Sequence, residues 1–223
     1  MENLSPKAKN GLDKLNSMLP LKDRQDRLDE NSRKVHRAFL RTLVEEGRAM
    51  TKDDIKLLVN TSDEGAAAII AELKERDMLV TDCSGQPVGS YPVTTECTPH
   101  SVTVNGNKIN AMCAFDSLAV SQMFGHEVKI ESKCHVSGEP ICIEQKESAI
   151  IKAEPSEDLY FGIMWNSPTC GCCAHSLCTE MVFIRDKATA EQWQKEDCSV
   201  REIYTLAETI PFSAAFFVPL VKD

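Results

Sequence analysis

No apolar run in this 223-residue sequence approaches the ~20 residues needed to span a bilayer; the most apolar late segment, AAFFVPLV at 214–221, is far shorter. The opening MENLSPKAKNGLDK has no apolar core of the kind a secretory signal carries, so a cytoplasmic protein with no membrane association is expected. There is no glycine-rich phosphate loop and no dinucleotide fingerprint, so no nucleotide cofactor is implied. Internal repeats and low-complexity tracts are also missing. Positive charge is scarce: 25 Lys and Arg stand against 34 Asp and Glu, a net charge of −9. Nucleic-acid binding rests on clustered Lys and Arg, so a protein that coats nucleic acid is excluded.

Against these absences, the ten cysteines are conspicuous. In a reducing compartment they read as buried apolar residues, metal ligands or reactive thiols rather than disulfides. The composition is otherwise that of an ordinary globular chain, long enough to bury roughly 70% of its unfolded surface without a metal or a crosslink.

Residues 1–31 are polar and Lys/Asp-rich, and read as a mobile or loosely docked N-terminal arm. From about residue 32, SRKVHRAFLRTLVEEG places Val35, Phe39, Leu40, Leu43 and Val44 at helical spacing, ended by Gly47. Thr51 before two aspartates caps a second helix, and Ser62 or Asp63 caps a third. Two short strands then flank a Gly/Pro turn, so 32–95 reads as a winged-helix-like three-helix module. Its third helix, DEGAAAIIAELKERDM, offers Lys74 and Arg76 against Asp63, Glu64, Glu72, Glu75 and Asp77, a poor surface for a DNA groove.

From 96 to 223 the pattern is a mixed α+β core with an antiparallel sheet and short helices. HSVTVNGNKINAM and HEVKIESKCHVSGEPICIEQ are hairpins, the first turning on Asn-Gly. LYFGIMW and MVFIRD are strands and TAEQWQKE is a short helix. The tail IYTLAETIPFSAAFF is ambiguous between helix and strand.

Two constellations carry chemistry. CAFDSLAVSQMFG reads as a helix with Cys113 and Asp116 in its first turn, three residues apart and therefore on one face. A helix N-terminus favours the thiolate form of Cys113. The plainer reading is a small buried hydrophobe beside a dipole partner. The second constellation, SPTCGCCAHSLCTEM, gathers Cys170, Cys172, Cys173 and Cys178 around His175, soft ligands suited to Zn(II), Cu(I) or Hg(II). It lacks the paired C-x-x-C spacing of a zinc ribbon. His36 reads as a satisfied or surface histidine, His126 and His135 as solvent-facing, and Trp165 and Trp193 as core or helix–sheet contacts.

At these residues the chain resembles the organomercurial, or alkylmercury, lyases. CAFD at 113–116 is similar to the family's C-A-L-D segment. The similarity continues through SLAV, through ESKCHVSGEP, and through TAEQW at 189–193, which matches T-A-E-x-W. It runs from about residue 35 to 210 and is concentrated after 91.

The resemblance implies carbon–mercury bond protonolysis by two cysteines and an aspartate, here Cys113, Asp116 and a second cysteine. Counting back from TAEQW without a gap gives Cys178. The family has a vicinal pair at that point, whereas the vicinal pair here is Cys172–Cys173, so these two remain alternatives. Met112 and Leu177 stand where the family has aromatic residues, and Cys134 matches a cysteine of structural role. The implied products are a hydrocarbon and Hg(II) held by two sulfurs, with no cofactor beyond the external thiol that releases the metal. The implied partners are low-molecular-weight thiols and a mercuric reductase as acceptor. Cys170, Cys172 and Cys173 are expected to capture or relay Hg(II), or alternatively to bind zinc or pack as a loop core. The competing readings are a cysteine-rich soft-metal binding protein without catalysis and a winged-helix metal sensor.

Overall fold

The computed structural model of the protein describes residues 4–166 and 176–222. Ser5 starts the first helix: its hydroxyl accepts the Ala8 amide, and Pro6 occupies the first turn of α1 (Pro6–Met18), which is followed by the short α2 (Leu21–Asp26). The loosely docked arm expected from the polar composition of 1–31 is therefore a pair of helices. Ala8, Gly11 and Leu15 of α1 are buried, and Lys7 lies 4.7 Å over the Tyr204 ring. Scattered apolar residues suffice because the partner surface supplies most of the contact.

Helix α3 (Glu30–Glu46) is capped by Asp29 and ends on Gly47 in the left-handed conformation, φ 69°. Thr51 and Asp54 form a capping box for α4 (Lys52–Val59), and Ser62 caps α5 (Asp63–Glu75). The three helices and the strands β1 (Val80–Thr81) and β2 (Pro87–Ser90) lie where the sequence placed them. This hairpin does not end in solvent. Through β3 (Val93–Thr94) it joins the strands that follow.

Those strands are β4 (His100–Val104), β5 (Asn107–Ala111), β6 (Glu127–Lys133), β7 (Pro140–Lys146) and β8 (Ala149–Glu154). They make an eight-stranded antiparallel sheet in the order β1-β2-β3-β5-β4-β6-β7-β8. Asn105 and Gly106 turn the β4–β5 hairpin at φ 49° and 84°, as the Asn-Gly pair requires. A second antiparallel sheet, in the order β10-β9-β11, contains β9 (Tyr160–Met164), β10 (Met181–Ile184) and β11 (Arg201–Thr205). The fold is thus mixed α+β with antiparallel sheets, as expected.

The ambiguous tail divides at Thr205, whose capping box with Glu208 ends β11 and opens α8 (Leu206–Phe217). Helix α7 (Lys187–Glu196) covers β9, where a Cβ at Gly162 would come within 2.8 Å of Trp193, so Trp193 is a helix–sheet contact as read.

At the centre lies α6 (Ala114–Phe124), buried on all sides. It packs on β4 to β7, on β10 and on α8. Beneath it Phe115 meets Phe161, Phe212, Phe216 and Phe217, with ring centroids 4.5–6.2 Å apart. A buried polar chain joins α2, α3 and β2. Gln25 Nε2 donates to the Leu220 carbonyl at 2.8 Å and lies 2.9 Å from His36 Nδ1, while His36 Nε2 is 3.1 Å from Ser90 Oγ. Burial pushes His36 down to about 3, so it is a satisfied neutral histidine. Among the described residues no helix is long and apolar enough to cross a membrane.

Close docking of α1 depends on Gly11, where an added Cβ would sit 2.7 Å from Tyr204 Oη and 3.1 Å from Phe212 Cε1. Gly11→Ala is therefore expected to lower stability by roughly 1–3 kcal/mol, against the ~1 kcal/mol that helix propensity alone would add. Thermal denaturation checks this; a rise in Tm would mean that α1 is held loosely.

Candidate active site

Strand β5 delivers the chain to Met112, whose amide donates to the Pro92 carbonyl at 3.1 Å, and the next residue starts α6. Cys113 is the N-cap of that helix, in extended conformation (φ −154°, ψ 179°), and its Sγ accepts the Asp116 amide at 3.4 Å. Oxygen side chains usually hold this position because they are better acceptors than sulfur. A thiol here gives a weaker cap and places a soft nucleophile where the helix dipole is positive. Asp116, at the third helical position, faces the same way, as the spacing required.

Cys178 reaches the pair from the far side. It sits in a 3₁₀ turn, Leu177–Glu180, immediately before β10. The Cys113 and Cys178 sulfurs and a carboxylate oxygen of Asp116 all lie within 4.8 Å of one another, and all three residues are buried. The Cys178 thiol donates toward the Cys113 sulfur, which also accepts the Asp116 amide. Among the described residues Asp116 Oδ2 is a buried oxygen with no partner.

The helix N-terminus does not produce the expected thiolate. Burial pushes Cys113 up to about 12, outweighing the hydrogen bond from Cys178 that acts in the opposite direction. Burial also lifts Asp116 to about 8, against downward hydrogen bonds from Cys113. Desolvation therefore sets the carboxyl. At neutral pH Cys113 rests as a thiol and Asp116 as a carboxylic acid. Such a group of three binds a soft cation only by releasing thiol protons, and it has a proton to give beside the bound metal.

Cys170, Cys172, Cys173 and His175 lie outside the described residues. Cys134 is separate from the cluster and closes the turn after β6, its Sγ accepting the Ser137 amide at 3.5 Å. Burial pushes this thiol up, but hydrogen bonds from Ser137 and nearby backbone amides outweigh it and hold it below its ordinary value. One neighbour escaped the sequence reading: the Cys113 thiol points to the Met181 thioether, Sγ to Sδ 3.6 Å. At the start of an apolar strand, Met181 carries no signal that separates it from core. Met112 and Leu177, at the positions that depart from the resemblance, are both buried.

The family model described as "MerB: Alkylmercury lyase" matches residues 93–218. An alkylmercury lyase of Bacillus cereus is 29% identical over 147 residues, covering 66% of this chain and 65% of its own length. One of Pseudomonas putida is 25% identical over 156 residues, 70% of each chain. A solved structure described as the mercury-bound form of MerB2 superposes with TM-score 0.76 at 20% identity, over 94% of this chain and 100% of that one, a likeness that bears on fold. The family match takes in over half of the sequence, from β3 to the end of α8, and encloses Cys113, Asp116 and Cys178, so this chain belongs to the alkylmercury lyase family.

Proposed function

We propose that the protein cleaves the carbon–mercury bond of alkyl and aryl mercurials by protonolysis, with Cys113, Cys178 and Asp116 as catalytic residues. The observation that carries this reading is a buried carboxyl with an unpartnered oxygen, set within 4.8 Å of two buried thiols. Mere capture of mercury needs no proton donor.

Mercury is soft and weakly acidic toward oxygen, so water leaves its bond to carbon intact, while sulfur binds it avidly and pushes electron density toward carbon. Cys113 takes the R–Hg⁺ group, and its proton leaves with the substrate's former ligand. Cys178 adds as the second sulfur, and its proton replaces the one that Asp116 gives up. Asp116 passes a proton to the carbon as the carbon–mercury bond breaks. In sum, R–Hg–X and two thiols give R–H, HX and Hg(II) held by two sulfurs. A carboxyl with a pKa near 8 serves both transfers close to neutrality.

No cofactor enters this sequence. External thiol removes the product, and low-molecular-weight thiols or a mercuric reductase are the proposed acceptors. Free thiols of this kind suit the cytoplasm. Helices α3 to α5 with the β1–β2 hairpin are read as a winged-helix-like module over residues 32–95, retained as a packing partner of the catalytic core at 96–223. The acidic face of α5 supports that role over reading DNA.

The test is hydrocarbon release from phenylmercury or methylmercury with excess thiol. Cys113→Ser, Cys178→Ser and Asp116→Ala are each expected to lose activity by about 100-fold or more. Loss in Cys173→Ser with Cys178→Ser still active would move the second thiol to Cys173. Tight mercury binding without hydrocarbon release from the intact protein would replace the lyase with a metal binder.

The lifted carboxyl also has a consequence for stability. With its pKa raised from 3.8 to about 8, folded Asp116 holds a proton that the unfolded chain has lost, so stability falls as pH rises through that window. Asp116→Asn cannot titrate and escapes the loss. Its Tm advantage over the parent should grow from pH 4 to pH 8, reaching roughly 10 °C or more, and then level off. A difference that is constant with pH would contradict the lifted pKa.

A further inference from the structure

Three sulfurs converge at the head of α6, where the reaction uses two. Cys113 lies at the helix N-cap, Cys178 in the 3₁₀ turn, and Met181 three residues further on, at the first position of β10. Met181 is 3% exposed, and its thioether accepts the Cys113 thiol at 3.6 Å. Its backbone is fixed by pairing with Ile163 in the second sheet. The sulfur is therefore held by the scaffold.

We infer that Met181 is a third sulfur donor to the mercury of this site, an inference that rests on the lyase reading. A thioether is soft, polarizable and uncharged, with no proton to lose, so it matches mercury without adding charge to a buried pocket. In the resting protein it accepts the S–H of Cys113 and keeps that thiol aimed into the cluster. Once mercury replaces the thiol proton, this acceptor loses its donor. Its lone pair then faces the metal from the side of Cys113. Two thiolates bind Hg(II) along one axis and leave its flanks open, and Met181 occupies one flank. The weak extra contact slows loss of mercury before the second thiol has added, and likewise slows release of the product. A leucine of similar size would fill the space and do neither.

The experiment uses the full-length protein with ¹³C-methyl methionine, titrated with one equivalent of mercuric chloride. Of the eight methionine methyl signals, the one missing in Met181→Leu is Met181. That signal is expected to shift when mercury binds, with a smaller change at Met112. Transfer of Hg(II) from Met181→Leu to excess glutathione is expected to be roughly fivefold faster than from the parent, a rate that Met112→Leu leaves unchanged. If mercury binding is lost in Cys113→Ser, yet in the parent the Met181 signal stays put and the Met181→Leu transfer rate is unaltered, the third donor is overturned and the lyase reading stands. If mercury binding survives intact in both Cys113→Ser and Cys178→Ser, the cluster is not its site and both readings fall. Because the signal is followed in the parent protein, the inference stays open to refutation even if Met181→Leu folds poorly.

Discussion

Desolvation at the head of α6 is the constraint on which the rest of the molecule depends. A thiol and a carboxyl placed at a helix N-terminus would ordinarily favour their charged forms, since unpaired amides and the dipole both attract negative charge. Here burial opposes that tendency and prevails at both groups. The pocket is thereby charged with protons at neutral pH. For protonolysis this is the useful state, because the metal brings the positive charge that lets the thiols ionise, and the acid that ends the reaction is already present.

Keeping those groups dry requires that α6 have no exposed side, and the fold is arranged to meet that requirement. The eight-stranded sheet covers one side, β10 another, and the aromatic layer around Phe115 with α8 closes the rest. Helix α1 in turn backs α8, with Gly11 leaving room for Tyr204 of β11 and Phe212 of α8 that a Cβ would crowd. The N-terminal helices thus act at one remove: they hold the layer that holds the helix that keeps Cys113 and Asp116 from water. Such a pocket costs stability through its unpartnered carboxyl oxygen, a cost compatible with a functional site and hard to explain as core packing.

Much of this was legible in the sequence for identifiable reasons. Helix caps at Thr51 and Ser62 and the Asn105–Gly106 turn are local signals, fixed by neighbours a few residues away, and the structure has each of them. The i, i+3 spacing of Cys113 and Asp116 likewise needs only helix geometry. What could not be read depends on distant parts of the chain. Residues 6–18 look too polar to dock because their apolar partner, α8, lies some two hundred residues later. The protonation of Cys113 depends on burial, which no spacing reveals. Met181 looks like any apolar strand residue until Cys113 is brought against it. Cys178 came from a counted alignment to TAEQW, and it lies beside Cys113 and Asp116, while Cys172 and Cys173 are outside the described residues.

The central claim is that Asp116 is a neutral acid at physiological pH, and the most direct test is its carboxyl titration, followed by the ¹³C chemical shift of the Asp116 side chain and assigned with Asp116→Asn. A midpoint near 8, well above the ordinary aspartate range, is the predicted result. A midpoint near 4 for Asp116 would mean that the pocket is wet enough to hold a carboxylate, and would contradict the account of how the proton reaches carbon.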